Sequence, residues 1–169
     1  VEVIFAHHGT LDKFMGDGIM AYFGAPQVVP DHAAQAVRCA LEMQRVLAQW
    51  REETAGEGGP TILMRVGIHT GEAEARDGDL FGPAVNRAAR LRGAALGGQT
   101  LVSGATASLA MDALPQGVEL LEAGRVSVDK LAIDPPFADQ QMGQTVEQHE
   151  VRFRPERQMC RGCQSGFGC

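Results

Sequence analysis

No apolar run in this chain approaches the roughly 18 residues a membrane-spanning helix needs, and no signal-peptide pattern opens it. A membrane segment is therefore not expected, and a cytoplasmic location is. Basic residues are in deficit: 15 Lys and Arg stand against 21 Asp and Glu, for a net charge of -6. A nucleic-acid surface shows as a basic stripe, and its lack removes nucleic acid from the expected partners. A nucleotide stays possible, because a few local donors and metal ions outweigh a mildly acidic average. Cysteine is scarce before the C-terminus. Cys39 stands alone in a helical pattern and reads as a small core residue. Cys160, Cys163 and Cys169 form C-x-x-C-x5-C without a well-spaced fourth ligand, His149 being a poor candidate, so no metal knuckle is expected there. No internal repeat is visible. The chain opens on Val1, which reads as a piece of something longer with further domains attached.

What is present is one domain's worth of chain, 169 residues with 44% hydrophobic and 21% charged side chains. Its organising stretch is GTLDKFMGDGIMAYFGAP, Gly9 to Pro26. Two apolar runs flank Gly16-Asp17-Gly18, a strong signal for a β-hairpin with a primed turn. Asp17 at such a tip is an ordinary turn residue or, more sharply, a carboxylate on a rigid support suited to a divalent cation.

Along the chain, Val1–His7 is apolar and reads as a strand or the end of a helix. Asp31 is placed to cap a long helix whose Ala33, Ala36, Ala40, Met43, Leu47 and Trp50 share one face. Thr54–Pro60 reads as a loop. Thr61–Ala75 alternates and reads as a long central strand, with His69 structural rather than catalytic. After the turn Arg76–Asp79, Pro83 opens a helix carrying Val85, Ala88, Ala89 and Leu91 inward and ending at Gly97-Gly98. Asn86 and Arg90, four apart, share one side of it, whereas Arg87 and Arg92 read as solvated. Gln99–Val102 reads as a short buried strand, Ser103 as a helix cap, and Val118–Leu121 as a further strand. From Arg125 periodicity is lost and Gln, Pro, Gly and Cys accumulate, which reads as a divergent, disordered tail over 125–169 or a stretch read out of register.

Lys13-x-x-Gly-Asp17 on a hairpin, followed by Asp79-x-x-Gly-x-x-Val-Asn86-x-x-x-Arg90 entering a helix, resembles the class III adenylate and guanylate cyclases. The resemblance runs from about His8 to about Leu121. It implies an α+β fold, a ferredoxin-like core with a mostly antiparallel sheet flanked by helices, over residues 1–124. The family's first strand precedes Val1, and with it one of two metal aspartates.

By the same resemblance, the activity implied is conversion of ATP to 3′,5′-cyclic AMP and pyrophosphate, in intracellular signalling, with two Mg²⁺ or Mn²⁺ ions per site. Asp17 matches the hairpin metal aspartate, Lys13 and Asp79 the base-selecting pair, and Asn86 and Arg90 the pair that orients the ribose and steadies the α-phosphate. An ammonium and a carboxylate suit adenine, which accepts at N1 and donates from N6; guanine presents the opposite polarity. The implied assembly is a homodimer with each site built across the interface. The alternative is a catalytically incomplete nucleotide-binding or dimerisation module regulating an attached effector. A diguanylate-cyclase-like reading is disfavoured, since no Gly-Gly-Asp/Glu-Glu-Phe-like hairpin appears.

Overall fold

A computed structural model describes residues 1–76, 79–127 and 145–153. A short helix α1 (Glu2–Ala6) leads into the hairpin β1 (Gly9–Met15) and β2 (Gly18–Phe23), followed by the long helix α2 (His32–Thr54). Then come β3 (Val66–Ile68), the second hairpin β4 (Glu74–Arg76) and β5 (Asp79–Phe81), α3 (Pro83–Ala94) and β6 (Thr100–Ser103). The described chain closes with α4 (Gly104–Ala110), β7 (Val118–Ser127) and β8 (Thr145–Phe153). The central sheet has the order β3-β6-β8-β7, and β1-β2 and β4-β5 form separate two-stranded ribbons. Only β3 and β6 run parallel, joined through α3; every other pair is antiparallel. This is the expected α+β arrangement.

Adjacent residues of a strand face opposite ways, and Leu101 and Val102 of β6 use this to build two cores. Val102 packs with Val151 of β8 against Ala33, Ala34, Val37 and Leu41 of α2 and Ala107 and Ala110 of α4. Leu101 meets Leu91 of α3 and Ala95 on the other face. Helices therefore cover both sides of the sheet. Cys39 is buried as expected, and that burial pushes its thiol up to about 11. Ser103 caps α4 by accepting a hydrogen bond from the Thr106 amide at 3.3 Å. Asp31 precedes α2, but its carboxylate caps no backbone amide. It accepts instead from Gln35 Nε2 at 3.1 Å and Arg38 Nη1 at 3.0 Å.

Of the two readings of Val1–His7 the helix end holds, as α1 over Glu2–Ala6, with His8 left-handed after it at φ of 59°. Other expectations are corrected. The proposed strand over Thr61–Ala75 shrinks to β3, which lies at the edge of the sheet rather than its centre. Residues 61–65 include the apolar run Ile62-Leu63-Met64, yet most are exposed and are not part of a strand. Ala89 is exposed, not inward. The disordered tail is corrected over its described parts: β7 continues to Ser127, and Thr145–Phe153 forms β8 between β6 and β7. Two flanking ladders satisfy the β8 backbone, which offsets its polar composition. The Cys160, Cys163 and Cys169 cluster and the rest of that tail lie outside the described residues.

One glycine sets how closely α3 approaches the sheet. A Cβ on Gly67 of β3 would lie 2.2 Å from the Arg92 amide nitrogen and 2.4 Å from the Ala88 carbonyl oxygen, both backbone atoms of α3. Neither can swing aside, so Gly67→Ala is expected to push the helix off the strand. The expected cost is at least about 2 kcal/mol, read as a lowered denaturation midpoint. An unchanged midpoint would contradict this packing.

Candidate active site

The turn that shapes the first hairpin follows from its residues. Met15 pairs with Gly18, leaving Gly16-Asp17 as the two central positions. Gly16 takes φ of 62°, a conformation a side chain disfavours, while Asp17 is not left-handed. Positive φ at the first central position alone is the requirement of a II′ turn. Asp17 stands exposed at the tip, with no hydrogen bond or ion pair among the described residues. The tip leans toward α3: a Cβ on Gly18 would lie 3.0 Å from Arg92 Nη1.

Lys13 and Asp79 are 66 residues apart in sequence and come together in space. Lys13 Nζ donates to Asp79 Oδ1 at 2.5 Å, joining the β1-β2 ribbon to the β4-β5 ribbon. That hydrogen bond, reinforced by the charge of Asp12, raises the Lys13 pKa above the usual lysine value and keeps it an ammonium. The two side chains are 34% and 50% exposed, so the pair contributes little to stability and opens cheaply to a ligand. A donor beside an acceptor, accessible from solvent, matches the hydrogen-bonding edge of a purine.

Asn86 and Arg90 lie one turn apart on α3, both partly buried. Pro83 at the first helical position and Gly82 with φ of 130° turn the chain from β5 into this helix, so Asp79 and Asn86 are linked by a short, defined segment. Arg90 Nε and Nη1 are buried and have no hydrogen-bond partner among the described residues. Guanidinium donors left unpaired at a partly exposed site suit a planar, multi-oxygen anion. Among the described residues no hydrogen bond or ion pair joins Asn86 or Arg90 to the Lys13–Asp79 pair, or any of these to Asp17.

Two further readings are settled by geometry. His69 Nδ1 shares a hydrogen bond with Ser103 Oγ at 2.9 Å, within a network that includes Thr106 and Thr70. Burial, then the charge of Arg87, lowers its pKa, so the ring is neutral at pH 7 and serves the core as expected. Arg87 is corrected from solvated to partly buried, its Nε enclosed. Arg76 pairs with Glu74 at 2.7 Å on the surface.

Among the described residues no group of three or more His, Cys, Asp or Glu gathers that could hold a metal. Asp17 offers a hard, exposed carboxylate at the hairpin tip. Mg²⁺ is commonly held by one or two carboxylates with water and substrate phosphates, so Asp17 fits as one ligand of such an ion.

The residue sequence reading missed is Asp12. Its side chain is only 4% exposed, and its Oδ2 lies 3.6 Å from Lys13 Nζ. The one available signal was an acidic residue beside that lysine.

The fold is that of an α+β domain of the cyclase type. Residues 4–142 match the adenylate and guanylate cyclase catalytic domain, and the chain belongs to that family. It is 36% identical over 126 residues to a protein of Mycobacterium tuberculosis, covering 73% of this chain and 38% of that protein. Adenylate cyclase 1 of Rhizobium meliloti is 36% identical over 121 residues, 66% of this chain and 18% of that protein. The chain thus spans well under half the length of these relatives. Among solved structures, the adenylyl cyclase CyaB of P. aeruginosa aligns with a TM-score of 0.72 at 25% identity, covering 92% of this chain and 77% of that one. The guanylyl cyclase Cya2 aligns at 0.66 and 30% identity, covering 94% and 77%. Both base specificities occur among the similar structures, so the choice of base rests on the residues of this chain. Among the described residues no helix is long and apolar enough to cross a membrane.

Proposed function

We propose that this domain is an adenylate cyclase, converting ATP to 3′,5′-cyclic AMP and pyrophosphate. The observation that carries the reading is the Lys13–Asp79 pair, a donor and an acceptor held side by side across two hairpins. Adenine opens this pair: Lys13 donates to N1, and Asp79 accepts from the N6 amino group. Arg90 binds α-phosphate oxygens with its unpaired donors, and Asn86 orients the ribose. The 3′-oxygen then attacks the α-phosphorus, its proton departs to solvent, and the bond to pyrophosphate breaks. Charge grows on phosphoryl oxygens along this path, so positioned positive donors contribute more than any covalent nucleophile. Asp17 would hold Mg²⁺ or Mn²⁺, one of two ions per site, whose chemistry is to neutralise phosphate charge and activate the attacking hydroxyl.

The site is proposed to be shared across a homodimer, with Asp17 of one chain serving the purine and phosphate residues of the other. Phe14, Met15 and Ile19 around the hairpin tip are exposed apolar side chains, which supports a protein contact there. A second reading, a nucleotide-binding or dimerisation module that regulates an attached effector, draws on the lack, among the described residues, of any group of three or more side chains that could hold a metal. It predicts ATP binding without turnover.

The test is the specificity constant for ATP and GTP in the full-length protein and in its Lys13→Glu/Asp79→Cys variant. The parent is expected to favour ATP by roughly one to two decades for each matched contact. The double variant is expected to lose most of that preference. Equal use of ATP and GTP by the parent overturns the base assignment, and binding without any turnover favours the second reading.

A further inference from the structure

The bulge in β1 has a chemical consequence at the base-reading pair. Leu11 pairs with Ala21 and Lys13 with Met20, so Asp12 is the extra residue, opposite nothing. In a regular strand Asp12 and Lys13 would point to opposite faces. The bulge re-aims one of them, and Asp12 Oδ2 comes to lie 3.6 Å from Lys13 Nζ. This oxygen is buried and has no hydrogen-bond partner among the described residues. A buried carboxylate oxygen without a donor is costly, and the nearest cation is engaged elsewhere, on Asp79.

We infer that Asp12 is a positioning residue for Lys13, taking up the lysine's freed N–H when a purine parts Lys13 from Asp79. The inference rests on the adenine-reading role proposed above. An ammonium has three donors. In the free protein one of them goes to Asp79, and the 3.6 Å separation from Asp12 is too long for a hydrogen bond. When Asp79 turns to the amino group of the base, one ammonium N–H points at the ring nitrogen and another closes onto Asp12. The unpaired acceptor of the free state is then satisfied only in the bound state, which biases binding toward a base that engages both Lys13 and Asp79. Asp12 also restrains a flexible four-carbon stem that would otherwise lose its rotamer freedom on binding. It touches the lysine and not the nucleotide.

The test titrates full-length protein with α,β-methylene-ATP, its guanine counterpart and inorganic tripolyphosphate, which has no base. Asp12→Asn is expected to weaken the adenine ligand about tenfold, the effect of losing one charge-assisted contact. Tripolyphosphate affinity is expected to stay within about twofold, and thermal stability not to fall, since a buried charge is removed whose contact with Lys13, at 3.6 Å, is too long for a hydrogen bond. Asp12→Ser, which empties the position rather than filling it, is expected to behave the same way. In a Lys13→Met background Asp12→Asn should add less than about twofold, because its effect passes through the lysine. Equal weakening of all three ligands, or a full effect in the Lys13→Met background, overturns the inference in favour of a structural role. A parent that prefers the adenine ligand while both Asp12 variants leave it unchanged defeats this inference alone. A parent that binds tripolyphosphate as tightly as either nucleotide defeats the base-reading role and this inference with it.

Discussion

Arg90→Ala is expected to lower kcat for ATP cyclisation by about 10²–10³-fold, with KM changed by only a few-fold. The reason is where its donors stand before any ligand arrives. Arg90 Nε and Nη1 are enclosed on α3 with no hydrogen-bond partner among the described residues, which leaves two guanidinium donors there unmet. A developing charge on the α-phosphate oxygens supplies the missing acceptors, and the interaction is strongest when that charge is greatest. Uniform binding would appear in KM; transition-state binding appears in kcat. Arg90→Lys should rescue little, because a point charge cannot reproduce a planar fork of donors. Stability supplies an independent check. Removing an unpaired, partly buried cation is expected to leave the thermal midpoint unchanged or raised, so activity and stability part company. A kcat within a few-fold of the parent would remove Arg90 from the catalytic machinery.

Asp17→Ala is expected to lower Mg²⁺- or Mn²⁺-supported turnover by at least about 10²–10³-fold without disturbing the hairpin. The turn's geometry resides in Gly16, with φ of 62°, not in the Asp17 side chain, which is exposed and unbonded among the described residues. The informative measurement is activity against free metal concentration. Loss of a ligand should shift the midpoint to higher metal, so part of the activity returns at saturating Mn²⁺, while nucleotide binding in chelator stays as in the parent. If the variant keeps parental activity and an unchanged metal midpoint, Asp17 is a turn residue and no more. Asp17→Asn should resemble Asp17→Ala more than the parent, since the amide oxygen is a weaker, neutral ligand for a hard cation.

Local chemistry made much of this protein legible. The Gly16-Asp17-Gly18 tip, the apolar spacing of α2, Pro83 at the start of α3 and Ser103 before α4 all act through neighbours within a few residues. Each was read from spacing and found where expected. The errors share the opposite cause. Ile62 and Met64 alternate as a strand should, but a strand needs a continuous ladder. Among the described residues the ladder begins at Val66, with only one backbone bond, Gly98 amide to Met64 carbonyl, before it. Thr145–Phe153 has an unpromising composition, yet it is held between two strands and buries Gln148 and Val151. Arg87 looked like its solvated neighbours until the packing of α3 enclosed part of it.

The same division runs through the candidate site. By itself the sequence determined which donors and acceptors are available: Lys13, Asp17, Asp79, Asn86 and Arg90 in two short motifs. It also determined that hairpin and helix would present them, because turn and cap preferences are set by φ and by hydrogen bonds within a few residues. Only the tertiary structure decided that Lys13 meets Asp79 at 2.5 Å across 66 residues and that two Arg90 donors are buried without a partner among the described residues. It alone turned Asp12 toward the lysine, through a bulge whose register depends on the partner strand. Pairing, burial and register arise between distant segments, where no local preference acts, so these were settled only once the chain had closed on itself.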